Sequence, residues 1–483
     1  MNKPRKVLPL FFALILTLTP TGSLAEAAQN GMPPDMTRGQ APGDPSDGIP
    51  PTPPDGQAPG NPPGGLPGAE QPRQPESYNA VMTVEEDAVL SGKAVASTGA
   101  DENALLVTGG LLTLKDGVIS RVSADSNGGD SASFYGVGAA VLVTGGTAAL
   151  TGGEITTDAQ GGTGVFAYGE GVADVRDMTI VTRQDTSGGI HVAGGGTLYA
   201  SGLTVETYGK SSAAIRSDRG GGVMVVDGGS YIAHGSGSPA VYVTSDIAVR
   251  NATLTATGAE ALCLEGLNSV RLTDCSLYGA MPDLEQNDTT WTVILYQSMS
   301  GDSTVGRGYF EMNGGTLSSE NGGLFYTTNT ESSFLLNGVE IIASEDCEYF
   351  LRCTGNRNQR GWGAEGANGA DCAFTAISQR MDGDVLWDSI SRLRMTLKAG
   401  SVLTGAIIDD ESCAGAGGSG GCTVTVDASS TWVVTGDSRV TFLGCEGALV
   451  DAAGLSVTVR GVDGTIYRQG DSAYTVTVDD FSL

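Results

Sequence analysis

The chain has 483 residues, including 73 Gly, 19 Pro, 8 Cys and 2 His, and its 55 acidic residues outnumber 26 basic ones, for a net charge of −29. This charge argues against a nucleic-acid partner, because phosphate binding needs a basic surface. Two histidines leave little material for imidazole catalysis or for a multi-histidine metal site.

The beginning of the chain has the pattern of a secretory signal peptide. Basic residues at positions 3, 5 and 6 precede an apolar run over 7–18, and small residues surround Ala25-Glu26-Ala27. The run is shorter than the roughly 20 apolar residues of a transmembrane helix, and a retained N-terminal anchor is the alternative. We therefore predict a signal peptide over 1–27, a mature chain without a transmembrane segment, and a secreted, extracellular or cell-surface location.

The next segment is rich in proline and glycine. Of the 19 prolines in the chain, 17 lie before residue 76. Such a composition offers too little apolar surface to offset the entropy of ordering. We predict a disordered Pro/Gly-rich linker over 28–78 and a folded domain over 79–483, whose nearly proline-free backbone can donate to β-sheets.

The folded domain is a repeat. Similar segments begin at 140, 164, 189, 214, 240 and 261, with spacings of 24, 25, 25, 26 and 21 residues. Each contains three short strands separated by Gly, Asn or Asp turns, and apolar residues alternate along the strands, as in Leu112-Thr113-Leu114. This pattern predicts an all-β parallel β-helix, or solenoid, of about 12–14 coils. An antiparallel sandwich or barrel is the alternative, but it does not explain the period.

Short turn motifs carry a family resemblance. They are Val107-Thr108-Gly109-Gly110, Val143-Thr144-Gly145-Gly146 and Asn313-Gly314-Gly315-Thr316, with a related segment over 430–438. On these motifs the domain resembles secreted bacterial right-handed parallel β-helix proteins of the pectin-lyase-like superfold, especially adhesin-like and autotransporter-passenger-like members. The resemblance implies a right-handed coil and a surface-exposed, non-catalytic solenoid that binds glycans or proteins.

Relatives in the same superfold include polysaccharide lyases and glycoside hydrolases, so a carbohydrate-active enzyme is the alternative function. Asp409, Asp410 and Glu411 form the densest acidic cluster and could supply oxygen ligands to calcium. The competing interpretation of this cluster is a solvated acidic loop. We assign no catalytic residues and predict no cofactor other than this calcium.

The stretch over 350–400 breaks the acidic trend, with seven basic and five acidic residues. Its insertion at 354–371 contains Arg357, Arg360 and Trp362, and Trp387 follows. Aromatic faces stack on sugar rings, and arginine donates to hydroxyls and carboxylates. We predict that these four residues bind a glycan or an extracellular protein surface; an irregular loop that covers the solenoid is the alternative.

The cysteines, the two histidines and the insertion at 286–310 are interpreted as parts of the structure rather than of a site. All eight cysteines lie in the second half of the chain, and Cys413 and Cys422, which flank a Gly-rich stretch, are the best local pair for a disulfide. His191 and His234 are predicted to be exposed members of strand ladders. The insertion at 286–310 is predicted to contribute core strands.

Overall fold

The computed structural model describes residues 73–483. The predicted signal peptide and the linker up to residue 72 lie outside the described residues. Within residues 73–483, the chain forms 42 β-strands, one α-helix (Gly129–Tyr135) and one 3₁₀ turn (Glu411–Cys413). The large sheets are parallel throughout, which confirms an all-β parallel β-helix.

The first face of the solenoid is a parallel sheet with one strand per coil. Its 13 strands are Ala80–Val84, Asn103–Val107, Val141–Val143, Val165–Tyr168, Ile190–Ala193, Ile215–Ser217, Val241–Val243, Leu262–Glu265, Trp291–Tyr296, Gly323–Thr328, Leu351–Cys353, Val385–Trp387 and Ile407–Asp409. In register, Val141 pairs with Val165, and Ile190 pairs with Ile215. These partners reproduce the predicted repeat spacing, and the number of strands agrees with the predicted number of coils.

The second and third faces are continuous in a single sheet, because its longest strands run through both. Leu111–Ser123, for example, pairs with Ala88–Ser91 through its first half and with Ala94–Ser97 through its second half. The 21 strands of this sheet are Ala88–Ser91, Ala94–Ser97, Leu111–Ser123, Thr147–Ala159, Val172–Arg176, Thr179–Thr182, Gly196–Thr207, Gly222–Ala233, Asp246–Arg250, Thr253–Ala256, Ser269–Thr273, Ser276–Gly279, Arg307–Asn313, Thr316–Ser319, Glu331–Asn337, Glu340–Ile342, Asp371–Ile377, Arg392–Lys398, Gly421–Val426, Phe442–Cys445 and Asp480–Ser482.

Two smaller sheets complete the C-terminal coils. The strands of one continue the third face and are Arg380–Asp382, Val402–Thr404, Thr431–Val434 and Ala448–Asp451. The strands of the other are Ser438–Arg439, Thr458–Gly461, Ile466–Arg468 and Thr475–Val478. In this last sheet Thr458–Gly461 and Ile466–Arg468 pair antiparallel, so the regular parallel ladder ends here.

Inward side chains of the three faces fill a continuous core of Val, Leu and Ile, with a group of phenylalanines in the C-terminal half. Glycine allows neighbouring coils to approach where a long strand bends. Gly153 has a φ of +87°, and a Cβ on it would lie 2.1 Å from the carbonyl oxygen of Gly117 in the preceding coil. The bend between the second and third faces therefore requires glycine at this position.

Candidate functional site

The outward side of the first face is covered in its N-terminal half. Phe166 and His191 occupy neighbouring outward positions, and their rings stack with centroids 4.1 Å apart. The helix Gly129–Tyr135 lies over this wall, where Ser133 Oγ accepts a hydrogen bond from Arg216 Nη2 at 3.1 Å. His191 is only 1% exposed. The prediction that it is an exposed ladder residue was wrong, because a helix outside the repeat pattern covers it.

His234 lies on the solenoid wall and is half-buried. Its ring stacks on Tyr208, with centroids 4.7 Å apart, and its Nε2 lies 2.9 Å from Glu206 Oε1. The hydrogen bond from His234 lowers the pKa of Glu206. His234 therefore belongs to a partly exposed polar ladder.

A buried ion pair lies beside His191. Asp218 accepts a hydrogen bond from Arg216 Nη2 at 2.9 Å, and its Oδ2 lies 4.0 Å from His191 Nε2. Burial raises the pKa of Asp218 to about 6, although the charge of Arg216 opposes this shift. Burial, with the nearby Arg216, lowers the pKa of His191 well below its ordinary value. The imidazole is therefore neutral at pH 7.

A second buried carboxylate, Glu265, holds a surface segment in place. It is 1% exposed and accepts hydrogen bonds from the hydroxyls of Tyr242 and Tyr296, each at 3.2 Å, and from Ser298. Burial raises the pKa of Glu265. Because its oxygens accept these bonds, Glu265 anchors the segment that begins at Ser298.

The predicted recognition loop packs against another insertion. Trp362 is 5% exposed, and its ring centroid lies 5.6 Å from that of Trp291 and 4.5 Å from that of Tyr296. Arg357 and Arg360 are exposed at the edge of this cluster. The structure therefore brings Arg360 close to Trp362, with its Cζ 5.9 Å from the ring centroid, but the tryptophan face is occupied by protein rather than open to a sugar ring.

Trp387 lies apart from this loop. It is 3% exposed and belongs to the solenoid core, and its Nε1 donates to the backbone oxygen of Arg439 at 2.9 Å. Strand alternation places it inward on Val385–Trp387. The indole is therefore a core group, and its ring faces away from any ligand on the outer surface.

Between the predicted recognition loop and the Gly-rich stretch lies an open cavity of about 600 Å³, here called the corner groove. It runs along the corner between the first and second faces. Its walls come from four turns that leave successive coils at this corner. The lining residues are Asn329, Thr330, Glu331, Gly366, Gly369, Ala370, Asp371, Ser389, Ile390, Arg392, Gly417, Gly418, Ser419 and Gly420.

Charged side chains form a ladder along one wall of the corner groove. Glu331 pairs in register with Asp371, and Asp371 pairs with Arg392. Glu331 lies 3.3 Å from Arg307 Nη2, and Asp371 forms an ion pair with Arg394. Arg392 is exposed, and among residues 73–483 its guanidinium has no hydrogen-bond or ion-pair partner. It is therefore free to donate to a ligand.

The corner groove was not identified from the sequence, although a signal for it was present. Cys353, Trp387 and Asp409 are register partners at the ends of consecutive first-face strands. The insertion at 354–371 begins directly after the first of them, and the Gly-rich stretch follows the last. Loops that leave one corner of neighbouring coils lie side by side. An alignment of the repeats would therefore have predicted that the insertion and the Gly-rich stretch lie close together.

The predicted calcium cluster is split among several partners. Asp410 Oδ2 lies 3.7 Å from Arg352 Nη2, and Glu411 accepts hydrogen bonds from the backbone and side chain of Ser389 at 2.7 and 2.6 Å. Asp409 shares a hydrogen bond with Glu411. In the described part of the chain, no three His, Cys, Asp or Glu side chains are grouped to hold a metal ion. The three carboxylates therefore do not form a calcium site by themselves.

The cysteines predicted to form a disulfide lie on opposite sides of the solenoid wall. Cys422 is fully buried and belongs to the core. Cys413 lies on the outer side, where its Sγ is 3.6 Å from Arg352 Nη2 and 3.9 Å from Asp288 Oδ2. All eight cysteines are free thiols in the structure. Short separation in sequence did not bring this pair together.

Comparison with models of known protein families and with curated proteins finds no match for this chain. Among residues 73–483, no helix is both long enough and apolar enough to span a membrane. The fold is that of a parallel β-solenoid, and its open, polar corner groove is the candidate binding site.

Proposed function

We propose that this protein is a secreted or surface-exposed, non-catalytic, adhesin-like β-solenoid that binds glycans in the corner groove. The groove carries the proposal: it is an open cavity of about 600 Å³ lined by amide, hydroxyl, carboxylate and guanidinium groups. A sugar presents many hydroxyls, which such groups bind as donors and acceptors. An extracellular protein surface is the competing ligand.

The class and location of the protein belong to the same proposal. The turn motifs support a place among secreted bacterial right-handed β-helix proteins of the pectin-lyase-like superfold. The predicted signal peptide over 1–27 supports export. A rigid solenoid suits such a surface role, because each coil presents its loops at a fixed position along a long axis.

Arg392→Ala is expected to weaken glycan binding by about 10- to 100-fold, because it removes a charge-assisted donor whose loss costs roughly 1.5–3 kcal/mol. The measurement is a glycan array, followed by titration calorimetry with the sugars that bind. Binding to an extracellular glycoprotein is then compared before and after enzymatic removal of its glycans.

The matched control is Arg380→Ala. Arg380 is also exposed and lies on the third face, on strand Arg380–Asp382, outside the groove. Glycan affinity should be unchanged in this variant. Equal losses in both variants, or binding that survives removal of the glycans, would count against a glycan site in the groove. Point variants are preferable to deletion of 354–371, because Trp362 in that segment is packed against the solenoid.

The enzyme alternative rests on one observation near the groove. Loss of hydration, together with the hydrogen bond and charge of Glu411, raises the pKa of Asp409 to about 6. Burial raises the pKa of Glu411, but hydrogen bonds from Ser389 and Asp409 outweigh it and leave this pKa lowered. Two carboxyls whose pKa values move apart are the usual components of acid–base catalysis.

We expect no product when the protein is incubated with a panel of polysaccharides, with or without calcium. Product chromatography is the measurement. If product forms in the wild type and is lost in both Asp409→Asn and Glu411→Gln, the carboxylate pair is catalytic and the non-catalytic proposal is wrong. The Arg380→Ala variant again serves as the control.

A further inference from the structure

Cys353 and Cys372 flank the insertion at 354–371 directly, and the fold brings them back together at its base. Cys353 ends the first-face strand Leu351–Cys353, and Cys372 is the second residue of the second-face strand Asp371–Ile377. Both side chains are fully buried in the solenoid core. The Cys372 thiol is close enough to raise the pKa of the Cys353 thiol.

The preceding coil shows how closely these two positions approach. Cys353 pairs in register with Thr327, and Cys372 pairs with Ser332. In that coil, Thr327 Oγ1 donates to Ser332 Oγ at 2.8 Å. The same corner therefore brings the γ atoms of two side chains into contact, which is what a disulfide between facing residues requires.

The register separates Cys422 from this pair. Cys372 pairs with Leu393, and Leu393 pairs with Cys422. Cys422 therefore lies two strand spacings of about 4.8 Å each along the solenoid axis from Cys372. This is beyond the roughly 7 Å Cα separation that a disulfide can bridge. The corner pair is thus the one that the fold favours.

We propose that Cys353 and Cys372 form a disulfide that closes the insertion at its base and fixes one wall of the corner groove. The two thiols lose two protons and two electrons. A disulfide oxidant accepts the electrons: one cysteine thiolate attacks it to give a mixed disulfide, and the other cysteine thiolate then displaces the oxidant's remaining half as a thiol. The oxidising environment rests on the proposed export, whereas the pairing rests on geometry alone.

The disulfide has to form before folding buries the two thiols at this corner of the solenoid. The neighbouring Cys372 thiol, and then burial, raise the pKa of the Cys353 thiol well above its ordinary value, and a buried neutral thiol exchanges slowly. We therefore expect the disulfide to form during folding, while both thiols are still accessible to the oxidant. Once formed, the bond is shielded from reductants by the core that surrounds it.

The test begins with the chain purified in reductant, unfolded and then refolded in a mixture of reduced and oxidised glutathione. Free thiols are alkylated, and the protein is digested with trypsin without reduction. Cleavage after Arg352, Arg357, Arg360 and Arg380 places the two cysteines in peptides 353–357 and 361–380. Mass spectrometry should find these two peptides joined, and separated after reduction.

The matched control is Cys353→Thr with Cys372→Ser, which installs the pair found in the preceding coil. Oxidised wild type should melt about 5 °C above its reduced form, because the bond restricts the unfolded chain; the melting temperature of the control should not depend on oxidant. Both cysteines alkylated, or either one joined to Cys422, would overturn the pairing. A pair that is joined after refolding in glutathione but reduced in protein isolated from its own cells would instead count against the oxidising, exported location.

Discussion

Phe325→Ala is expected to lower the free energy of unfolding by about 3–5 kcal/mol, the usual cost of removing a buried aromatic ring. Phe325 is fully buried. It is the centre of the aromatic core, with ring centroids 6.0, 5.7, 5.4 and 5.9 Å from those of Phe310, Phe334, Phe350 and Phe374. Four partners lose an edge contact at once, and the surrounding coils are hydrogen-bonded into sheets that cannot collapse into the gap.

Urea unfolding, followed by circular dichroism, measures this loss as a lower midpoint. Because each coil contacts mainly its neighbours, the coils around Phe325 should unfold at lower urea than the N-terminal coils. Tyr309→Ala is the matched control, since Tyr309 is an aromatic residue of strand Arg307–Asn313, which also carries Phe310, and is 39% exposed. Tyr309→Ala should lower the free energy of unfolding by less than about 1 kcal/mol. Similar losses in both variants would show that the phenylalanines do not form a tightly packed core.

The repeat was predictable because, in a solenoid, residues that lie one repeat apart in the sequence are also neighbours in space. Val165 pairs with Val141 on one side and Ile190 on the other, so each copy of the pattern marks a neighbour in space. The predicted core strands in the insertion at 286–310 are also confirmed, since Trp291–Tyr296 and Arg307–Asn313 join the first and second faces. Alternation within each strand sufficed for these assignments.

Segments that leave the repeat were harder to interpret, because their packing is long-range. Trp362 lies among Gly, Asn and Arg, a composition typical of an exposed loop, but its ring packs against Trp291 in another insertion. His191 follows the strand pattern, but the helix over the wall buries it. For cysteines, the side of the strand matters more than the separation in sequence: Cys422 faces inward, whereas Cys413 faces outward.

The buried pair of Asp218 and His191 should give the folded protein a distinctive pH dependence. His191 has a lowered pKa in the folded state; its contribution to stability is therefore complete above pH 6.5 and is lost as the pH falls toward the folded-state pKa. Asp218 acts in the opposite direction, since its pKa is raised by burial from 3.8 to about 6. The charged groups that face it are Arg216, which favours its ionised form, and Asp302, which opposes it.

Asp218→Asn isolates the carboxyl contribution. In the wild type, the unfolded chain releases the Asp218 proton near pH 4 and the folded chain releases it near pH 6, so this group lowers stability as the pH rises through that window. The loss is about 3 kcal/mol for a shift of this size. About 2 kcal/mol of this loss falls between pH 4 and pH 6, so we expect the free energy of unfolding of Asp218→Asn, relative to wild type, to rise by that amount over this window. Because both proteins contain His191, its contribution largely cancels from the difference.

The difference between the two proteins, rather than their absolute stability, is the informative quantity. Asp218→Asn also removes the ion pair with Arg216, but this pair forms only when Asp218 is ionised, so its effect on the slope is already contained in the pKa of about 6. Asp130→Asn, at an exposed carboxyl on the covering helix, provides the matched change of charge at the surface. A flat curve for Asp218→Asn would mean that water or movement of the helix solvates this carboxylate. The wall beneath the helix would then be open, and the outward side of the first face would itself be accessible to a ligand.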